Sequence, residues 1–248
     1  RPPRSTLFPY TTLFRSTSLN LDLTINPDFS QVEVDRQRTN LDRFELFFPE
    51  KRQFFLENSD LFASLGSKNI RPFFSRRIGL ASPVIGGARL SGKLGSNYRL
   101  GIMSMQTDAN GETPASNFTV ATLQRKILTR SSLSVFLVNK ESGLQDNSDG
   151  SDNSYNQVSG IDFNLASVDN LWTGKAFFHQ AIYKNAGDNA FAAATSIKYN
   201  TGTVSAHMGY SFVGSDFQAD VGFVKRIGFH RFSSDRKSTR LNSSHVLI

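Results

Sequence analysis

Runs of alternating apolar and polar residues, several of them about ten residues long, constrain this chain more than any other feature. A period of two puts successive side chains on opposite faces of a strand. Leu19, Leu21, Leu23 and Ile25 share one face of a first strand, with Asn20, Asp22 and Thr24 on the other. Ala88, Leu90, Gly92 and Leu94 alternate with Arg89, Ser91 and Lys93, and a turn at 95–97 leads to Tyr98, Leu100 and Ile102. Phe118 and Val120 begin a strand that turns near 129–132 into Leu133, Val135 and Leu137. Ile161, Phe163 and Leu165 alternate with Gly160, Asp162 and Asn164, and after 169–170 comes a strand over 172–183. Phe191 to Tyr199 and Val204 to Phe212 repeat the pattern, and Val221 and Phe223 open a last strand.

Strands of this length exceed the five or six residues usual in soluble sheets and suit a tilted crossing of a bilayer. Connections alternate too: 95–97, 129–132, 169–170 and 200–202 are tight, whereas 107–117, 141–156 and 184–189 are longer and polar. Outer-membrane barrels have short turns at one end and long loops at the other. Tyr98, Phe118, Trp172, Tyr183, Tyr199, Tyr210 and Phe212 stand near strand ends, as an interfacial girdle would. A soluble antiparallel barrel or sandwich also alternates. The two readings differ in whether Val204, Ala206, Met208, Tyr210 and Phe212 face outward or form a closed core.

Residues 26–80 break the rhythm. Their phenylalanine pairs and charges show no sustained period of two, and Pro49 interrupts any helix through them. Short helical or turn pieces are expected over 42–48, and helical or extended ones over 52–58, with a glycine-serine hinge at 66–67. So many aromatics must pack somewhere, and a barrel lumen or mouth is the natural place. Phe47, Phe48, Phe54, Phe55, Phe73 and Phe74 are therefore expected against the inner side of the sheet or its rim.

The two ends read differently again. Translated backward, residues 1–16 and 235–245 spell the two opposite sequencing-library adapters in the correct order. Residues 17–234 are accordingly expected to be an internal fragment of a longer gene, and the ends to make few specific contacts. The exclusion matters for charge. Arg1, Arg4, Arg15, Arg236, Lys237 and Arg240 against Asp235 account for five of the net +7, which leaves +2 and no electrostatic case for nucleic acid. The chain has no cysteine, hence no disulfides or thiolate metal sites, and no apolar run long enough for a transmembrane helix.

The motifs NPDFSQVEVD, FELFFPEKRQFFLENSDLF, RPFFSRRIG and PVIGGARLSGK, within about residues 17–107, resemble the domain-of-unknown-function 5916 family. The resemblance implies a C-terminal outer-membrane barrel region of a Gram-negative protein. It also implies a carbohydrate link through an upstream family-9-like carbohydrate-binding domain. It implies no catalytic residues, although some members carry a hydrolase label.

Candidate chemistry is sparse. Glu45, Glu50, Glu57 and Asp60 offer the carboxylates of a glycoside hydrolase, but without geometry they read as partners of Arg43, Lys51, Arg52, Arg71, Arg76 and Arg77 in a polar lumen. The ion-pair candidates are Glu50, Arg52, Glu57, Asp60, Arg76 and Arg77. His179, His207 and His230 stand on separate strands without metal-ligand spacing. Asp146, Asn147, Asp149, Asp152 and Asn153 do not follow an EF-hand. No catalytic, cofactor or metal site is expected. The expected fold is an all-β, antiparallel, up-and-down outer-membrane β-barrel, incomplete at about nine strands. An aromatic, charged plug in residues 17–80 follows the first strand, and the other strands fill 81–234. The expected partner is outer-membrane lipid, with a transport or structural role at the surface, or alternatively glycan hydrolysis.

Overall fold

In the computed structural model, residues 11–15, 18–27, 39, 44–111, 113–143 and 154–238 are described. They form one eleven-stranded antiparallel sheet, the wall, with an irregular segment packed on its inner face. The wall strands in order are β1 (Thr11–Arg15), β2 (Leu19–Ile25), β4 (Val84–Leu94), β5 (Tyr98–Thr107), β6 (Ser116–Ile127), β7 (Ser131–Ser142), β8 (Ser154–Ala166), β9 (Trp172–Tyr183), β10 (Phe191–Asn200), β11 (Val204–Val213) and β13 (Phe229–Ser238). Consecutive wall strands are neighbours throughout, so the topology is up-and-down. The two edge strands do not pair with each other, and the sheet is an incomplete barrel. No helix is long and apolar enough to cross a membrane, which leaves crossing by strands untouched.

Eleven strands stand where about nine are expected, and the two ends, expected to make few specific contacts, extend the wall: one adds a strand ahead of β2 and the other lengthens β13. Thr11–Arg15 pairs with β2, and Asp235–Ser238 continues β13 against β11. An open edge offers a row of unpaired backbone groups to any extended segment, whatever its side chains. The side chains of residues 11–15, and all of 239–248, lie outside the described residues.

Register sorts the side chains. One inner row runs Asp22, Arg89, Met103, Val120, Val138, Val158, Ala181 across seven strands. An outer row runs Leu100, Leu123, Val135, Ile161, Phe178, Ala193, Phe212. The outer face carries exposed Ile102, Val135, Ile161, Phe178, Met208 and Tyr210, while inner Asp22, Ser91, Asp162 and His179 are buried. In β11, Met208 is 53% exposed and Gly209 is buried. The apolar set of that strand therefore faces out.

Two girdle aromatics correct the sequence reading. Phe118 is buried on the inner face, and Tyr183 points inward, its hydroxyl donating to the Asp216 carbonyl at 2.7 Å. The wall opposite the plug is itself apolar, with Met103, Met105, Val120, Phe136, Val138 and Phe177, so inward aromatics find a core there. The expected last strand is also different. Val221 lies outside any strand, and Phe223–Val224 (β12) pairs with Ile70–Arg71 (β3) in a separate two-stranded ribbon on the plug. The connection from β11 folds inward because Phe217, Val221 and Phe223 bury there rather than in the wall.

The plug holds two single-turn helices, α1 (Gln53–Leu56) and α2 (Asp60–Ala63), and a 3-10 turn over Ser75–Arg77. Of the short helix or turn expected over 42–48, the described residues 44–48 show a bend at Phe44 and no helix. Pro49 disfavours the helical conformation of the residue before it, and Phe47 instead packs against Phe74 and Phe223 at ring-centroid distances of 5.1 and 5.4 Å. Phe54, Phe55, Leu61, Phe62, Phe73 and Ile78 bury against the wall. Each such burial contributes about 1.5–3 kcal/mol.

Candidate functional site: the plug–wall interface

Three polar nodes organise the plug, two of them fastening it to the wall. The deepest joins β2, β4 and α1. Arg89 and Asp22 are 1% and 0% exposed, and the guanidinium reaches Asp22 Oδ2 through Nε at 3.1 Å and a terminal nitrogen at 2.6 Å. Its other terminal nitrogen donates to the carbonyls of Phe54 and Glu57, the latter at 2.7 Å, and the Glu57 carboxylate lies 3.4 Å away. The guanidinium also sits over the Phe54 ring, 5.0 Å from its centre. Wall charge is thus spent on plug backbone, satisfying carbonyls that a one-turn helix leaves open.

The second node lies within the plug. Glu50 takes a bidentate pair from Arg52, at 2.9 and 2.7 Å, and a 2.6 Å hydrogen bond from the Ser75 hydroxyl. Arg52 also donates to the carbonyls of Ile78 and Ser75, both at 2.6 Å, tying 50–52 to 75–78. Burial pushes the Glu50 carboxyl up, but the Arg52 hydrogen bonds and charge, with Ser75, outweigh it and hold the carboxyl below its ordinary range.

The third node surrounds Asp162 on β8, 1% exposed. It accepts from His179 Nε2 at 2.7 Å, the Gly66 backbone N–H at 2.6 Å and Lys175 Nζ at 3.3 Å, while Lys175 also donates to the Ser64 carbonyl. His179 is wedged between Phe177, stacked at 4.4 Å, and Phe136, edge-on at 4.9 Å. The expected hinge at 66–67 is therefore a pinned turn. Gly66 has φ +70°, and a Cβ there would fall 2.0 Å from the Ile70 carbonyl oxygen. Gly101 on β5 serves closeness instead: a Cβ would meet the Phe62 ring at 2.8 Å.

Of the six ion-pair candidates from sequence, the structure brings Glu50 and Arg52 together and gives the others different partners. Glu57 goes to Arg89, and Asp60 to Arg99 at 2.5 Å. Arg77 goes to Glu45 at 2.6 Å, and Arg76 donates to the Pro49 carbonyl at 3.2 Å. The Arg99 hydrogen bond holds the Asp60 carboxyl below its ordinary range despite partial burial. Sequence reasoning missed Asp22, Arg89, Asp162 and His179 as site residues. The available signal was that Asp22, Arg89 and Asp162 stand on the polar face of an alternating strand, the face that proves to be buried; His179 shares its face with Phe177, Ala181 and Tyr183 and gave no such signal.

Glu45, Glu50, Glu57 and Asp60 each face a different arginine. Glu50 and Asp60 are held below the ordinary carboxylate range, the opposite of what a general acid needs. Among the described residues no group of three or more His, Asp or Glu is placed to hold a metal. His207 is half-buried on the inner face with Ser196, Ser211 and Ser233 nearby, whereas His230 is on the outer face, its Nδ1 2.7 Å from the Tyr210 hydroxyl. The acidic stretch containing Asp146, Asn147, Asp149, Asp152 and Asn153 lies outside the described residues.

Residues 16–91 match the family model described as Domain of unknown function (DUF5916), the family that the motifs resemble. The matched span contains β2, the plug and most of β4, and so the first two nodes complete. No curated protein and no solved structure matches the chain.

Proposed function

We propose that this chain is part of an outer-membrane β-barrel of a Gram-negative bacterium, with its outer face in lipid and its lumen filled by the plug. The observation that carries this reading is an apolar outer face left exposed while charged groups are buried inside. Asp22, Arg89, Asp162 and His179 are buried inside, while Ile102, Ile161, Phe178 and Met208 are exposed outside. In water the apolar outer side chains would stay exposed; in a bilayer lipid covers them, while the plug covers the polar and apolar groups of the inner face. The dimensions agree. Trp172 to Ile182 spans ten steps of β9, which at about 3.3 Å per residue and a tilt of about 40° rises roughly 25 Å, the height of a barrel's apolar band. Toward the long connections the outer face turns polar, with Asn117 bonding Gln106 at 3.2 Å and Thr119 bonding Asn117 at 2.8 Å.

The role that fits is structural or transport-related at the cell surface. A plug held by buried charge blocks passage until those pairs exchange partners, as a gated carrier requires. The family resemblance adds a carbohydrate link through an upstream binding domain.

The only tryptophan makes the membrane reading testable. Trp172 is 43% exposed on the outer face at a tight-turn end, with the Tyr199 ring 4.7 Å away. Folded into vesicles, its fluorescence should be quenched by brominated lipids, more strongly with bromine high on the acyl chain than near its end. Equal emission in brominated and ordinary vesicles would overturn the reading.

A further inference from the structure

A cavity of about 270 Å³ lies between plug and wall. Its lining is mainly apolar, with Phe47, Phe55, Phe73 and Met103, and three charged residues line it, Glu50, Arg71 and Arg89, the last already paired with Asp22. Glu50 is neutralised by Arg52. Arg71 differs from the arginines around it. Arg52, Arg77, Arg89 and Arg99 each hold a carboxylate, and Arg76 a carbonyl. Among the described residues Arg71 has no carboxylate within ion-pair distance. Its Nε is buried without a hydrogen-bond partner, and its guanidinium lies 4.4 Å from the centre of the Phe47 ring.

A partly buried cation with one buried, unmet donor is costly unless something answers it. Burial pushes its pKa down from the ordinary guanidinium range, yet a guanidinium stays protonated at neutral pH. The uncompensated charge of the cavity is therefore positive, single and planar, set in an aromatic wall.

We propose that this cavity binds a small monocarboxylate with an apolar body, its carboxylate held by the Arg71 fork and its body among the phenylalanines. The fork matches a carboxylate in geometry and charge. At the roughly 30 Å³ a water occupies in the liquid, the volume admits about nine non-hydrogen atoms, the size of a simple aromatic acid. The site depends only on the plug and inner wall, so it stands or falls independently of what covers the outer face.

The test uses the full 248-residue chain folded in detergent, with para-fluorobenzoate observed by fluorine NMR and para-fluorobenzamide as the uncharged match. The acid should bind saturably and at least tenfold more tightly than the amide, and Arg71→Gln should weaken it at least tenfold, with Arg71→Lys between. No saturable binding of the acid, equal binding of acid and amide, or full affinity in Arg71→Gln would each overturn the proposal. Should Arg71→Gln fail to fold, the comparison of acid and amide on the unaltered chain decides it.

Discussion

Arg89→Met would test what holds the plug in place. Methionine keeps most of the unbranched stem but removes the guanidinium that meets Asp22 twice and the carbonyls of Phe54 and Glu57. Because Arg89 and Asp22 are 1% and 0% exposed, solvent cannot replace the lost charge. Removing one partner of a buried pair costs about 3–5 kcal/mol, most of it from the carboxylate left behind. Asp22→Asn should cost less, about 2 kcal/mol, since Arg89 keeps the plug carbonyls and has the Glu57 carboxylate 3.4 Å away. The double variant leaves no charge at the pair and loses two hydrogen bonds to plug carbonyls, about 1 kcal/mol each. It should therefore cost about 2–3 kcal/mol, well short of the sum of the single changes, with a coupling of roughly 3 kcal/mol. Urea unfolding of the four proteins in one detergent measures the cycle, and hydrogen exchange over 53–63 should quicken most in Arg89→Met. A cost below about 1 kcal/mol for Arg89→Met, or additive single changes, would refute the reasoning and reduce the pair to a bystander of the packing.

Other outcomes follow from the same contacts. Met208→Arg places a charge on the outer face at mid-strand and should cost roughly 2–4 kcal/mol in a bilayer, but little in water; equal stability in lipid would place that face elsewhere. Gly66→Ala must adopt φ near +70° against the Ile70 carbonyl and should destabilise the chain by at least about 1–2 kcal/mol, measured by the shift in the urea midpoint. Glu50 has its carboxyl held below the ordinary 4.5, so its contribution is complete above that pH and is lost as pH falls through the folded value. Acidification below 4.5 should thus loosen residues 50–52 and 75–78, read by hydrogen exchange, and Glu50→Gln should remove that pH dependence.

The alternating strands needed nothing but the sequence. Leu19 to Ile25 and Val204 to Phe212 declare their two faces through a period of two, which is a local property of the backbone. The tight turns, and so the up-and-down order, were legible for the same reason. The charge-rich, phenylalanine-paired block announced that it must be buried against something, since its aromatics cannot remain in water. Periodicity could not say which face was the inside, because alternation is symmetric until something packs on one side. Only the tertiary structure placed the plug against Asp22, Arg89 and Asp162, and turned Phe118 and Tyr183 inward with it. Partner choice was decided there too. Glu57 and Asp60 are near Arg52 in the chain, yet they meet Arg89 and Arg99, because the end of α1 and the start of α2 present them to the wall. Such contacts join residues 32 and 39 positions apart, and their register comes from strand pairing and packing rather than from any local preference of the residues themselves.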